Sequence, residues 1–272
     1  EMFDSTIGAS TVLLPFGGRT EGSETQVSVQ KLPVDGYTET ASIMAYGYNP
    51  FLTSWSPYHG AAYAVVEACA KAVAAGAEFG GMRFSYQEYF ERMHTARSWG
   101  KPLAALLGAL RMQVELGLPS IGGKDSMSGT FQQINVPPML MAFGITTVDA
   151  RRVISTDLKE AGHTLYLLKH TPKANRMPDT AALRTLWNYA SERIAAGRIV
   201  AGYAVGFGGV AEALAKMAFG NGIGAEVELP EEALFAYDYG SIVVESTVEL
   251  DAPFAVRLGR TTADEALTVN GE

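Results

Sequence analysis

Polar and apolar positions along the chain fall into two alternating patterns. QVSVQKLPV (26–34) alternates with period two and carries β-branched residues, which predicts a strand. SIMAYGY (42–48) predicts a second. HGAAYAVVEACAKAVAAG (59–76) is Ala-rich, without glycine or proline in its interior, and stops at Gly76, so it predicts a helix whose small side chains pack closely on a sheet. GMRFSY (81–86) predicts a strand that continues as a short helix over QEYFERM. KPLAALLGALRMQVELG (101–117) predicts a helix with Leu103, Leu106, Leu107, Leu110 and Val114 on one stripe, Pro102 in the first turn and Gly117 after the end. PMLMAFGITTV (138–148) predicts a long apolar strand.

The polar stretch TTVDARRVIS marks a boundary near Val148–Ser155. Beyond it, TLYLLKH (164–170) predicts a buried strand, HTPKANRMPDT (170–180) a loop, and ALRTLWNYASERIAAG (182–197) a helix ending at Gly197. IVAGYAVG (199–206) predicts a strand. VAEALAKMAFG (210–220) predicts a helix with Val210, Leu214 and Met217 inward. IGAEVEL, YGSIVVES and EALTVN predict short closing strands. The expected organisation is an N-terminal α+β domain over 1–150 and a C-terminal α/β domain over 151–272.

The 272 residues, 47% of them hydrophobic, suffice for two cores. No apolar run approaches the ~20 residues of a membrane span, and the first residues do not read as a signal peptide. The text opens at Glu1 in mid-phrase, which leads us to expect a piece of a longer polypeptide. The net charge of −8, with scattered Lys and Arg, argues against a nucleic-acid partner. The single cysteine, Cys69, excludes an internal disulfide and fits a reducing, cytoplasmic setting.

Three segments offer chemistry. In GGKDSMSG (122–129), Gly122 and Gly123 let a backbone approach a ligand. Lys124 offers a point charge for phosphate, Asp125 a metal or hydroxyl ligand, and Ser126 a hydrogen-bond donor. Residue types alone favour a tight turn with a solvated Lys–Asp pair, and the glycine spacing of a P-loop is missing. In GFGG (206–209), Gly208 and Gly209 precede a helix whose free amides attract anions, although close strand–helix packing explains them equally well. Glu67 and Lys71 lie one turn apart on an otherwise buried-looking helix, which suits a site or an interdomain salt bridge. His59, His94, His163 and His170 show no metal spacing, and Cys69 reads as a small core residue.

GGKDSMSGTF resembles the Gly-Lys-Asp-Ser motif of the phosphoribosylformylglycinamidine synthase family, also called formylglycinamide ribonucleotide amidotransferase. Residues 44–77, 84–93, 99–129 and 206–224 are similar to its large single-chain, clostridial-type branch, so the resemblance covers essentially the whole chain. That family builds its synthetase core from two halves, each resembling aminoimidazole ribonucleotide synthetase, and the Gly-Lys-Asp-Ser motif belongs to the second. The resemblance implies that this chain is that second half, with half of a β-barrel in its N-terminal domain. It also implies homodimerisation through that domain when the first half is absent.

The family reaction is an ATP-dependent ligation: the formyl amide oxygen is phosphorylated, then displaced by ammonia that a separate domain releases from glutamine. Neither the glutaminase domain nor the His-rich motif of the first half is present, so the resemblance implies an enzyme fragment inactive alone. The missing first half and the glutaminase domain would be its partners. ATP and Mg²⁺ are implied for the full enzyme; whether this half holds any cofactor stays open. A non-catalytic assembly half is the alternative. A stand-alone relative, such as thiamine phosphate kinase, fits the motifs less well.

The family's second half has an auxiliary nucleotide site whose ADP is held through Mg²⁺. Glu67 matches its glutamate. Lys71 stands where the family has asparagine, and Lys31, in a looser alignment, where it has aspartate. The usual metal aspartate of the second domain is Ala204, and the serine after it is Gly206. One glutamate among two lysines and an alanine cannot supply the oxygen octahedron of Mg²⁺. The expectation is a degenerate site, with Lys31 and Lys71 joining Glu67 in a structural ion cluster or holding phosphate without metal.

Overall fold

The computed structural model describes residues 6–272. A five-stranded sheet forms first, from β1 (Ser28–Lys31), β2 (Thr40–Gly47), β3 (Arg83–Tyr89), β4 (Ser120–Ser126) and β5 (Met139–Asp149). Its order is β1-β2-β5-β3-β4; only the β3–β4 pairing is parallel. Helices α1 (Pro50–Trp55), α2 (Pro57–Ala74) and α3 (Ala96–Leu116) accompany it. Period-two alternation sends Ala41, Ile43, Ala45, Phe84, Tyr86, Leu140 and Ala142 to the helix side, where all are buried. The opposite face stays open, with Met44, Tyr46 and Ile145 exposed.

After β5 the chain makes a short 3₁₀ turn (Ala150–Arg152) and builds a second sheet from β6 (Thr164–Leu168), β7 (Ile199–Ala204), β8 (Gly224–Val227), β9 (Ile242–Ser246), β10 (Ala255–Thr262) and β11 (Leu267–Val269). The order is β7-β9-β6-β10-β8-β11, antiparallel except for β8–β11. Helices α4 (Thr180–Ala195) and α5 (Gly209–Phe219) complete the unit, and Val210, Leu214 and Met217 are buried as their spacing predicts. The segment before β1 crosses to this unit. There Ser23 Oγ donates to the Lys216 carbonyl at 2.5 Å and accepts from Gly220 N–H at 2.9 Å.

Helix α2 is central, in contact with α1, α3, α4 and strands of both sheets. Burial on nearly every side explains its alanines. Its neighbours meet it with glycine: a Cβ at Gly47 or Gly108 would overlap the carbonyl oxygen of Ala64 or Tyr58, and one at Gly202 would sit 2.6 Å from that of Ala74. Among the described residues no helix is long and apolar enough to cross a membrane.

Four local expectations are corrected. QEYFERM is not a helix: β3 runs through Tyr89 and a loop follows. Helix α3 begins at Ala96, where Thr95 and Ser98 form a capping box, so Pro102 lies inside the helix. Gly-Lys-Asp-Ser is the edge strand β4, with no tight turn. Strand β10 was not anticipated, because Gly259, Arg257 and Arg260 interrupt its apolar alternation and a bulge breaks its register with β6. In addition, the leucine stripe of α3 is exposed. The helix buries Ala105, Gly108, Ala109, Met112 and Leu116 instead.

Candidate functional site

Strand β4 lies at the sheet edge with Gly122, Gly123, Lys124 and Asp125 exposed and Ser126 partly so. It pairs in parallel register with β3, Gln87 beside Lys124, Glu88 beside Asp125 and Tyr89 beside Ser126. Strand alternation therefore puts Lys124 on the open sheet face and Asp125 on the other, so the two do not converge on one small ligand within this chain. The Lys124 ammonium donates to the Asp125 backbone oxygen, and Ser126 Oγ lies 3.0 Å from Ser128 Oγ.

Beside Asp125 the structure shows a residue that sequence reading missed. Burial, with a further push from the Asp125 charge, raises the Glu88 carboxyl to about 7. Its Oε1 is buried with no hydrogen-bond partner. A carboxyl poised there can hold or release a proton near neutral pH. The signal was available: Glu88 follows Phe84 and Tyr86 at the inward-facing spacing, but was hidden by assigning 87–93 to a helix.

Glu67 and Lys71 meet at 2.8 Å, both side chains about nine-tenths buried. The other carboxylate oxygen accepts from Tyr48 N–H at 3.0 Å. Lys71 also donates to the Tyr46 carbonyl at 3.0 Å and sits 4.5 Å from the Tyr46 ring centre. Burial raises the Glu67 carboxyl, and the Lys71 charge opposes that rise. Lys31 is not part of this cluster: its ammonium bonds Glu39 at 3.1 Å and the Tyr37 hydroxyl at 2.9 Å.

Ala204, at the end of β7, is buried, and both its amide and its carbonyl are bound by the Gln26 side chain at 2.8 and 3.0 Å. In the following turn the Gly208 amide donates to Glu212 at 2.8 Å and the Gly209 amide to the Gly206 carbonyl at 3.1 Å. Glu212 in turn pairs with Lys216 at 2.7 Å. A carboxylate thus takes the place where an anion would approach the start of α5. Among the described residues no three His, Cys, Asp or Glu side chains gather as a metal site. The residues around Glu67 do not fit a divalent cation, since the Lys71 ammonium already lies 2.8 Å from its carboxylate and would repel one.

Cys69 is buried within α2, and burial pushes its thiol up, so it stays protonated. His170 is a satisfied core histidine: Nδ1 donates to the Tyr239 carbonyl at 2.9 Å while Nε2 accepts from Asp179 N–H at 3.1 Å.

The fold is similar to that of AIR synthase-like proteins. Residues 154–254 match the family model described as AIR synthase related protein, C-terminal domain. The chain is similar to phosphoribosylformylglycinamidine synthase subunit PurL: the protein from Picrophilus torridus is 24% identical over 299 residues, covering 99% of this chain and 39% of the relative. Among solved structures, PurL of Thermotoga maritima complexed with ATP superposes with a TM-score of 0.69 at 16% identity, over 95% of this chain and 46% of that one. Thiamine monophosphate kinase of Aquifex aeolicus superposes with a TM-score of 0.61 at 15% identity, over 88% of this chain and 91% of that one. The chain thus spans about two fifths of the PurL relative, and most of the kinase.

Proposed function

We propose that this chain is one synthetase half of a ligase that forms formylglycinamidine ribonucleotide in purine biosynthesis, acting in the cytoplasm. In this reading the full enzyme uses ATP, Mg²⁺ and glutamine-derived ammonia, and needs a second half and a glutaminase domain. The branch is the large single-chain one, and the half is its second. The observation that carries the reading is the end-to-end match of this chain to about two fifths of a PurL relative. The open sheet face, the unpaired β4 edge and the exposed leucines of α3 support it, because each is apolar or unpaired surface that another half would cover. Alone, the chain homodimerises through the same surface.

The test is reconstitution. The chain is purified alone and with a His-rich synthetase half and a glutaminase domain, and ATP-dependent conversion of formylglycinamide ribonucleotide is followed. Turnover only in the assembled protein is the expected result. Turnover by the chain alone, or failure of the parts to associate, defeats the reading.

A second reading, that this half braces the active one and its own nucleotide site is degenerate, is favoured by the Glu67–Lys71 pair and by Glu212 at the GFGG turn. Titration with ADP, with and without Mg²⁺, separates the two in a thermal-shift assay: a large metal-dependent stabilisation contradicts the degenerate site. Lys124→Ala in the assembled enzyme tests the role of β4. Lowered kcat at unchanged stability supports a part for Lys124 in the reaction, and an effect on stability alone supports bracing.

A further inference from the structure

A cavity beside the GFGG turn opens where α1 and α2 meet the loops of the second sheet. Its volume is about 420 Å³, and Phe51, Trp55, Tyr63, Tyr237, Tyr239 and Arg176 line it. That size is within the range of small-molecule sites. The walls are aromatic and mutually braced. Phe207, from the GFGG turn, stacks on Phe51 at 5.3 Å between ring centres and also contacts Tyr237 at 5.3 Å. Tyr239 lies 5.9 Å from Tyr63 and is anchored by Asn49, whose amide donates to its hydroxyl at 2.9 Å. Phe51, Trp55, Phe207 and Tyr237 nevertheless remain about half exposed or more. Exposed aromatic rings held in place by neighbours are a ready stacking surface.

Arg176 supplies the charge. Its backbone has φ of +62°, a conformation unusual for a residue with a side chain. Two side chains of α2 hold that turn: Tyr63 donates its hydroxyl to the Arg176 carbonyl at 2.9 Å, and His59 Nε2 donates to the Asn175 carbonyl at 3.2 Å. Burial, then the Asp238 charge, pushes the Tyr63 phenol up to about 12, so it remains a donor at neutral pH. The turn sets the Arg176 guanidinium over the Trp55 ring, 5.5 Å from its centre. Among the described residues no carboxylate pairs with it, and nearby Asp238 faces Lys169 at 3.8 Å. A guanidinium on a strained, pinned turn beside an aromatic cavity presents its fork of donors to an incoming anion.

We propose that this cavity is a binding site for a small planar aromatic anion, a ring that stacks on Trp55, Phe51 and Tyr237 while its carboxylate or phosphate is held by Arg176. The proposal does not depend on the ligase reading. It is tested on the purified chain by isothermal titration with adenosine 5′-monophosphate, indole-3-acetate, adenosine and inorganic phosphate. The two ring-bearing anions represent the nucleotide and aryl-carboxylate sources of the same chemistry. At least one of them is expected to bind saturably, at least about tenfold more tightly than adenosine or phosphate, because only it uses both ring and charge. Whichever anion binds better identifies the source. Arg176→Gln is expected to weaken that binding about tenfold or more, and Trp55→Ala comparably, while Arg151→Gln, at an exposed arginine paired with Asp149, leaves it unchanged. Circular dichroism checks that each variant is folded, and Arg176→Lys gives a milder change at the same backbone. Absence of saturable binding by both anions up to about 10 mM, a millimolar limit well above most specific site affinities, overturns the proposal. So does binding that survives both Arg176→Gln and Trp55→Ala, or that is lost in Arg151→Gln.

Discussion

Replacing Lys71 by methionine probes the most buried charge pair in the described chain that joins two side chains of one helix. Methionine retains most of the apolar stem and removes the ammonium that lies 2.8 Å from Glu67. Glu67 is then a buried carboxylate with one remaining donor, Tyr48 N–H at 3.0 Å. Its charge can be relieved by protonation. The electrostatic penalty therefore cannot exceed the work of protonating it, about 1.4 kcal/mol for each pH unit above its ordinary value. That value is 4.5. The ceiling is about 3.4 kcal/mol at pH 7 and about 0.7 kcal/mol at pH 5. Since burial already raises Glu67 in the wild type, part of this is present there, and the added loss is about 2–3 kcal/mol near pH 7. Loss of the Tyr46 contacts adds about 1 kcal/mol at either pH.

The sign follows from linkage. A carboxyl whose folded value is raised is unpenalised below its unfolded value and destabilises progressively as pH rises through the folded one. The gap between wild type and Lys71→Met should accordingly widen from about 1–2 kcal/mol near pH 5 to about 3–4 near pH 7.5, read from urea unfolding followed by circular dichroism. The double variant Glu67→Gln/Lys71→Met should recover much of the loss near pH 7.5, because Gln still accepts from Tyr48. A gap that is constant or narrows with pH, or a double variant less stable than Lys71→Met, refutes the buried-pair account.

Carbon-13 NMR should find the Glu88 carboxyl titrating near 7, and Asp125→Asn should move it down by removing the secondary cause; a midpoint below about 5 contradicts the burial argument. Gly202→Ala should lower stability by roughly 2 kcal/mol or more, since its Cβ would meet the Ala74 carbonyl at 2.6 Å, whereas Gly122→Ala, with open space around it, should cost under about 1 kcal/mol. Equal losses in urea unfolding would show that α2 does not require that close approach. Leu106→Lys/Leu110→Lys, on the exposed stripe, should leave monomer stability within about 1 kcal/mol and reduce self-association in sedimentation velocity; unfolding of the variant would mean that the stripe is core.

Much of the architecture is legible in the residue pattern because local periodicity and stop signals act within one element. The Ala-rich run became α2, and the inward positions of α5 are those its spacing predicts. The motif at 122–126, together with the segments around it, also pointed to the PurL relationship without coordinates. Tertiary structure decided what depends on neighbours distant in sequence. The leucine stripe of α3 has the right period for a core face, yet the opposite, smaller-residue face is buried, because Gly108 lets α2 come close on that side. The same holds for charge. Periodicity joins Glu67 to Lys71, but only the sheet register sends Lys31 to Glu39, sets Glu88 beside Asp125, and puts Lys124 and Asp125 on opposite faces. A helix repeat fixes which residues share a face. Which face is covered depends on contacts between segments many residues apart, and those contacts decide which charges lose their water.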